Sequence, residues 1–152
     1  MKATVVINPI AGPGRLRTLD ACTALARESL ELSGFDVTVC VTSAPDDAQR
    51  FSARAVSGGH ELVAAWGGDG TVNGVGAALA GTRVAMAIIP GGSGNGLARD
   101  LGVPLDAAAA FAVAAKGATR VIDAGDLNGS LFFNVAGIGV DASIARRMAA
   151  PG

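Results

Sequence analysis

Three times in this chain a short apolar run gives way to a glycine-bearing loop, and helical spacing then follows. The runs at residues 3–7, 61–66 and 84–89 lead into loops at 8–14, 67–70 and 90–94. Short, nearly continuous apolar runs bounded by turn residues predict strands buried on both faces. A further run at 35–41 has the same character. Between the runs, residues 15–33 place Leu16, Leu19, Cys22 and Leu25 at helical spacing. Helices are also predicted over 46–56, 71–80, 95–101 and 105–116, with Gly34, Gly81 and Gly117 where helix-ending glycines belong. This alternation predicts an α/β fold: an open, mostly parallel sheet with helices on both faces. The chain then changes character. Two strands, 119–127 and 130–140, flank Asn128-Gly129, a strong hairpin signal.

The loops carry the chemistry. A strand that turns sharply into a helix leaves unpaired N–H groups at the helix start, and these attract phosphate. Glycine lets a ligand approach the backbone closely. In open sheets ligands bind outside the carboxyl ends of the strands, so three such loops converge on one edge. Asp69, inside Gly67-Gly-Asp-Gly-Thr71, is out of place beside phosphate. It makes sense if a divalent cation, Mg²⁺, lies between them. Thr71 caps its helix or offers its hydroxyl to a phosphate.

Several other functions are excluded. Lys2 and Lys116 are the only lysines and neither completes a Gly-Lys-Ser/Thr motif, so there is no P-loop. Gly137-Ile-Gly-Val-Asp-Ala142 imitates a dinucleotide fingerprint but has no following βαβ unit, and is read as coincidence. Net charge is −1 with scattered arginines, which gives no basis for binding nucleic acid. Cys22 and Cys40 lack metal-ligand spacing and are read as buried reduced thiols. His60, the lone histidine, is read as an exposed loop residue, and Trp66 as core. No run reaches the roughly 20 apolar residues of a membrane span, and Lys2 leads at once into a strand rather than a signal peptide. The expectation is a cytoplasmic protein.

Taken in order, Asn8-Pro-Ile-Ala-Gly12, Gly67-Gly-Asp-Gly-Thr71 with Asn73, and Pro90-Gly-Gly-Ser-Gly-Asn95 with Ala98-Arg99 resemble the nucleotide-site motifs of the diacylglycerol/sphingosine lipid kinases. Asp123-Ala-Gly125, Asn128-Gly129 and residues 133–141 are similar to the segment that follows in that family. Gly-Gly-Asp-Gly-Thr alone is shared with NAD kinases and phosphofructokinases, whose fold the resemblance implies. It also implies ATP and Mg²⁺ as cofactors and a lipid substrate at a membrane surface. On this resemblance Asn8 to Gly12, with Asn8, Pro9 and Gly12 foremost, line the nucleotide, and Thr42 touches it. Gly68, Asp69, Gly70, Thr71 and Asn73 hold the phosphates, with Ser93 where the family often has threonine. Asp69 organises Mg²⁺ and, with Asp123 as a second acid, forms the catalytic pair. Asp141 and Asn95 are assigned to the lipid substrate.

The chain departs from the family pattern at Gly74, where an acid is usual, and at Gly96, where many diacylglycerol kinases have aspartate. The pattern at Ser93-Gly-Asn95 is closer to sphingosine and ceramide kinases. The family also has a second, β-rich domain that supplies the catalytic base and much of the lipid cleft. The expected division is therefore residues 1–127 as the nucleotide-binding domain and 128–152 as a truncated start of the second. An apolar face over 131–140, lacking its partner, would favour a homodimer. Two alternatives stay open: a nucleotide-binding module without kinase chemistry, and an NAD-kinase-like enzyme.

Overall fold

A computed structural model describes residues 1–12 and 18–133. In chain order the elements are β1 (Lys2–Ile7), α1 (Leu19–Glu31), β2 (Asp36–Val41), α2 (Asp47–Ser57), β3 (Leu62–Gly67) and α3 (Asp69–Leu79). They continue with β4 (Ala85–Pro90), α4 (Gly96–Asp100), α5 (Ala107–Ala115), β5 (Gly125–Leu127) and β6 (Ser130–Phe132). The first four strands form one parallel sheet in the order β2-β1-β3-β4, and β5-β6 is a separate antiparallel hairpin.

Both faces of the sheet are covered, which is why its strands are apolar at nearly every position. Ala3, Val5, Ile7, Ala64, Trp66 and Ile89 pack with Ala26 and Leu30 of α1 and with Ala110 and Phe111 of α5. Their alternate neighbours Val6, Val63, Ala65 and Ile88 pack with Ala48 and Ala55 of α2, Val72 and Val75 of α3, and Leu97 of α4. Phe111 is fully buried and meets Trp66 edge to face, with ring centroids 5.2 Å apart. Trp66 is thus core, as expected.

The element boundaries differ from the sequence reading in instructive ways. Helix α1 starts at Leu19, not Arg15: Thr18 is extended (φ −66°, ψ 156°) and its side chain caps the helix through Ala21 N–H. Helix α3 starts at Asp69, two residues before Thr71, with Gly68 as its extended N-cap. The predicted strand over 119–127 reduces to Gly125–Leu127, because only those residues pair, with Phe132, Leu131 and Ser130. Asn128 (φ 52°) and Gly129 (φ 82°) make the left-handed turn their dipeptide predicts. Beyond Phe133 the second predicted strand lies outside the described residues.

His60 is half-buried rather than exposed, with Nδ1 2.9 Å from the Thr4 hydroxyl. Cys22 and Cys40 are half-buried and not in a disulfide. Burial pushes the Cys40 thiol up against the opposing pull of Arg54. Among the described residues no helix is long and apolar enough to cross a membrane.

Candidate functional site

The chain runs from β1 outward in both directions, to β2 on one side and β3 on the other. That reversal marks the topological switch point of a doubly wound sheet, and the crevice beside it is the expected ligand site. The strands end level: Ile7 pairs with both Val41 and Trp66, and Gly67 with Pro90. The ladder then runs one residue further, through Thr42 N–H to Ile7 C=O, Asn8 N–H to Trp66 C=O and Gly91 N–H to Gly67 C=O, each 2.9 Å. The sheet therefore fixes where every loop begins. Together the loops enclose a cleft of about 600 Å³, within the size range of small-molecule sites.

The loops are locked to one another. The Asn8 side-chain N–H donates to the Thr71 hydroxyl at 3.1 Å, and its carbonyl accepts from Ile10 N–H at 3.2 Å. Thr71 is buried inside α3, so its hydroxyl braces the first loop rather than capping the helix. A Cβ on Gly92 would stand 2.5 Å from Gly68 Cα, and one on Gly12 (φ 84°) would collide with the Gly91 carbonyl. The glycines are thus demanded first by backbone-to-backbone packing of three loops, a reason sequence reading had not separated from ligand approach.

Asp69 sits in the first turn of α3, and its Oδ1 accepts from Gly96 N–H at 2.7 Å. It ties the second loop to the start of α4, while its Oδ2 faces Gly94 so closely that a Cβ there would lie 2.7 Å away. Asn95 is left-handed (φ 50°) and spends both ends of its amide on Gly92: N–H to Oδ1 at 2.9 Å and Nδ2 to C=O at 2.7 Å. Arg99 Nε donates to Gly94 C=O at 2.9 Å. The third loop is a built object held by side chains at its own edges.

On the opposite wall, residues 42–45 are held by Asp47. Its Oδ2 accepts from Ser43 N–H (2.8 Å), Ser43 Oγ–H (3.0 Å) and Ala44 N–H (3.0 Å), and its Oδ1 pairs with Arg50 at 2.6 Å. The Ser43 N–H bond above all, with Ala44 N–H, the Ser43 hydroxyl and Arg50, holds this carboxyl below its ordinary value against the opposing effect of burial.

Of the residues singled out in the sequence, Asn8, Gly12, Thr42, Gly68, Asp69, Gly70, Thr71 and Ser93 line the cleft. Pro9, Asn73, Asn95 and Asp123 do not: Pro9 and Asp123 are exposed, Asn73 is half-buried on α3, and Asn95 is consumed by its loop. Asp141 lies outside the described residues, as does the Gly137–Ala142 fingerprint. Sequence reasoning missed Ser43, Ala44, Pro45 and Ala48 on the walls, and Asp47 behind them. The available signal was a serine four residues ahead of an acid at a helix start, which permits a side chain to bond back into its loop.

Chemically the cleft has two ends. At one, Asp69 and Gly70 open α3 with N–H groups that precede the first intrahelical bond, Thr71 N–H already donating to Gly68 C=O at 3.0 Å, and the helix dipole adds positive potential, so an anion is favoured. At the other, Ala44, Pro45 and Ala48 present apolar surface. Among the described residues Asp69 is the only carboxylate lining the cleft, and no group of three candidate metal ligands exists. Mg²⁺ fits such a site because it is commonly bound by one or two carboxylates, with substrate phosphates and water completing its shell.

The model of the diacylglycerol kinase catalytic domain matches residues 2–127. A protein named "Probable lipid kinase YegS-like" from Pseudomonas aeruginosa is 42% identical over 118 residues, 76% of this chain and 37% of that protein. A diacylglycerol kinase from Mycobacterium tuberculosis is 38% identical, over 96% of this chain and 48% of its own length. The crystal structure of a diacylglycerol kinase from Bacillus anthracis superposes with a TM-score of 0.78 at 29% identity, covering 97% of this chain and 52% of that one. The chain therefore spans half or less of the length of the curated relatives it matches.

Proposed function

Because the chain belongs to the diacylglycerol kinase catalytic domain family, we propose that it is the nucleotide-binding part of an ATP-dependent lipid kinase. The observation that carries this reading is the junction of three glycine loops at the N-terminus of α3, with Asp69 the one carboxylate that lines their cleft among the described residues. Family membership favours a kinase over a bare binding module or an NAD-kinase-like enzyme.

ATP with Mg²⁺, when bound, supplies the transferable phosphoryl group and the cation that offsets its charge. The chain's own part is positioning and electrostatics. The first turn of α3 and Ser93 receive the phosphates, Asn8 holds the first loop against Thr71, and Thr42 borders the nucleotide. Asp69 holds the metal end with Oδ2, its Oδ1 being occupied by Gly96 N–H. Asn95 shapes the third loop, and Asp123, exposed and not lining the cleft, is proposed as the second acid on family resemblance alone. Asp141 is proposed for the lipid headgroup on family resemblance alone. The proposal keeps the division after residue 127, where the family match ends. It places the protein in the cytoplasm, where ATP is available, acting on a lipid presented at a membrane surface.

Among the described residues no group able to accept the proton of a lipid hydroxyl lines the cleft beyond Asp69, and the expectation is that this chain by itself binds nucleotide but transfers phosphate poorly. The test is a radiolabelled-ATP assay with diacylglycerol or sphingosine in mixed micelles. It compares this chain with the full-length Mycobacterium tuberculosis relative, alongside calorimetric titration of Mg-ATP into the chain. Binding without useful turnover is expected. Turnover equal to the relative's would overturn the assigned incompleteness, and no binding by a folded sample at millimolar ATP would overturn the nucleotide site.

A further inference from the structure

The acid at the start of α2 does not behave as an ordinary helix-terminus charge. Asp46, the N-cap, makes no side-chain capping bond. Asp47 is 3% exposed and directs its bonds backward into the loop that forms one wall of the cleft. Two of its four partners are backbone N–H groups and one is the Arg50 guanidinium, none of which can accept. The carboxylate is thus wholly an acceptor, as an ionised carboxylate must be. It follows that the Ser43 hydroxyl, 3.0 Å from Oδ2, places its proton on that bond. What remains on Ser43 Oγ is lone-pair density, and Ser43 lines the cleft.

We propose that Asp47 is a positioning residue and Ser43 a specificity residue for the nucleotide base, together making this wall an acceptor that selects a 6-amino purine over a 6-oxo purine. The inference rests on reading the cleft as a nucleotide site. With phosphates at the α3 end, the base falls at the opposite, apolar end, where Ala44, Pro45 and Ala48 meet its ring face. The 6-amino group of adenine donates to Ser43 Oγ. The 6-oxo group of guanine brings a second acceptor to the same oxygen and is repelled, the kind of mismatch that leaves polar groups unpaired and discriminates strongly.

Binding of Mg-ATP and Mg-GTP to the 152-residue chain tests this, by calorimetry on samples whose folding is checked by circular dichroism. The wild type should favour ATP over GTP by about tenfold or more, the scale of one well-placed hydrogen bond. Asp47→Ala should weaken ATP binding and bring the ATP/GTP ratio toward one, because the wall loses its anchor and the hydroxyl proton becomes free to turn. Ser43→Ala keeps both backbone bonds to Asp47, so it remains informative should Asp47→Ala fail to fold. It should reduce the ATP/GTP ratio without a change in melting temperature. An unchanged ratio in folded Ser43→Ala overturns the inference while leaving the nucleotide site intact. Absence of nucleotide binding by the wild type overturns the reading of the cleft and the inference with it.

Discussion

At the scale of single residues, function and packing are entangled in the glycines. Gly92 packs its Cα side against Gly68, so Gly92→Ala must push two cleft-lining loops apart. Overpacking of this kind costs about 1–3 kcal/mol. The expected outcome is a lower melting temperature together with at least tenfold weaker Mg-ATP binding; unchanged affinity would mean the loops do not need this contact. Asp69→Asn behaves differently. The asparagine carbonyl still accepts from Gly96 N–H, so stability should change by no more than about 0.5 kcal/mol, as for exposed sites. The gain in ATP affinity on adding Mg²⁺ should vanish, and a variant keeping the wild-type Mg²⁺ dependence would remove Asp69 from the metal's shell. Asp47 ties stability to pH. Its folded pKa is depressed, so its stabilising contribution is full above the ordinary carboxylate value and is lost as pH falls through the folded one. The melting-temperature gap between wild type and Asp47→Ala should be constant near neutrality and shrink in acid; a gap that persists in strong acid contradicts this. Asp69 and the glycines were legible in the sequence because their types are unusual in their setting. Asp47 was not, because an acid beginning a helix looks the same whether it faces solvent or bonds backward.

At the scale of elements, the strands were readable because burial on both faces leaves an apolar signature, and β1, β3 and β4 lie within a residue or two of their expected places. The starts of α1 and α3 were less legible. The cap at Thr18 overrides apolar spacing that continues back to Leu16, and the helix dipole and loop contacts admit Asp69 and Gly70 into a helix that side-chain propensity would begin at Thr71. The residues before β5 read as a strand by composition, yet β propensity without a pairing partner does not make one. Two contacts hold the outer elements in place, one to the sheet and one to α3. Phe111 of α5 is buried beneath Trp66, the residue preceding the second glycine loop. Phe111→Ala should cost about 3–5 kcal/mol in chemical denaturation, and less than about 1 kcal/mol would show that α5 is not part of the core. Phe133, just past β6, lies against Gly76 on α3, where a Cβ would fall 2.7 Å from its ring. Gly76→Ala should release the hairpin, seen as faster amide exchange at Leu127 and Ser130 with β1 and β3 still protected.

For the whole molecule, one topological fact organises the rest. The central strand β1 sends the chain outward in both directions, so the loops after β1 and β3 part at one crevice, joined by those after β2 and β4. That convergence was inferable from the alternation of strands, glycine loops and helices. Of the wall contributed by residues 42–45 only Thr42 was reached, through the family resemblance, since nothing in that loop's composition is unusual; the sheet order shows that β2 neighbours β1 and brings Ser43, Ala44 and Pro45 to the cleft. The account's central claim is that this crevice binds a magnesium nucleotide with its phosphates at the start of α3. Amide NMR shifts of the labelled chain during titration with Mg-ATP test it most directly. Saturable shifts concentrated at Gly12, Thr42, Gly68, Gly70 and Ser93 are expected, with the β5-β6 hairpin unmoved. A folded chain showing no shifts at millimolar nucleotide, or shifts confined to the hairpin, would contradict it.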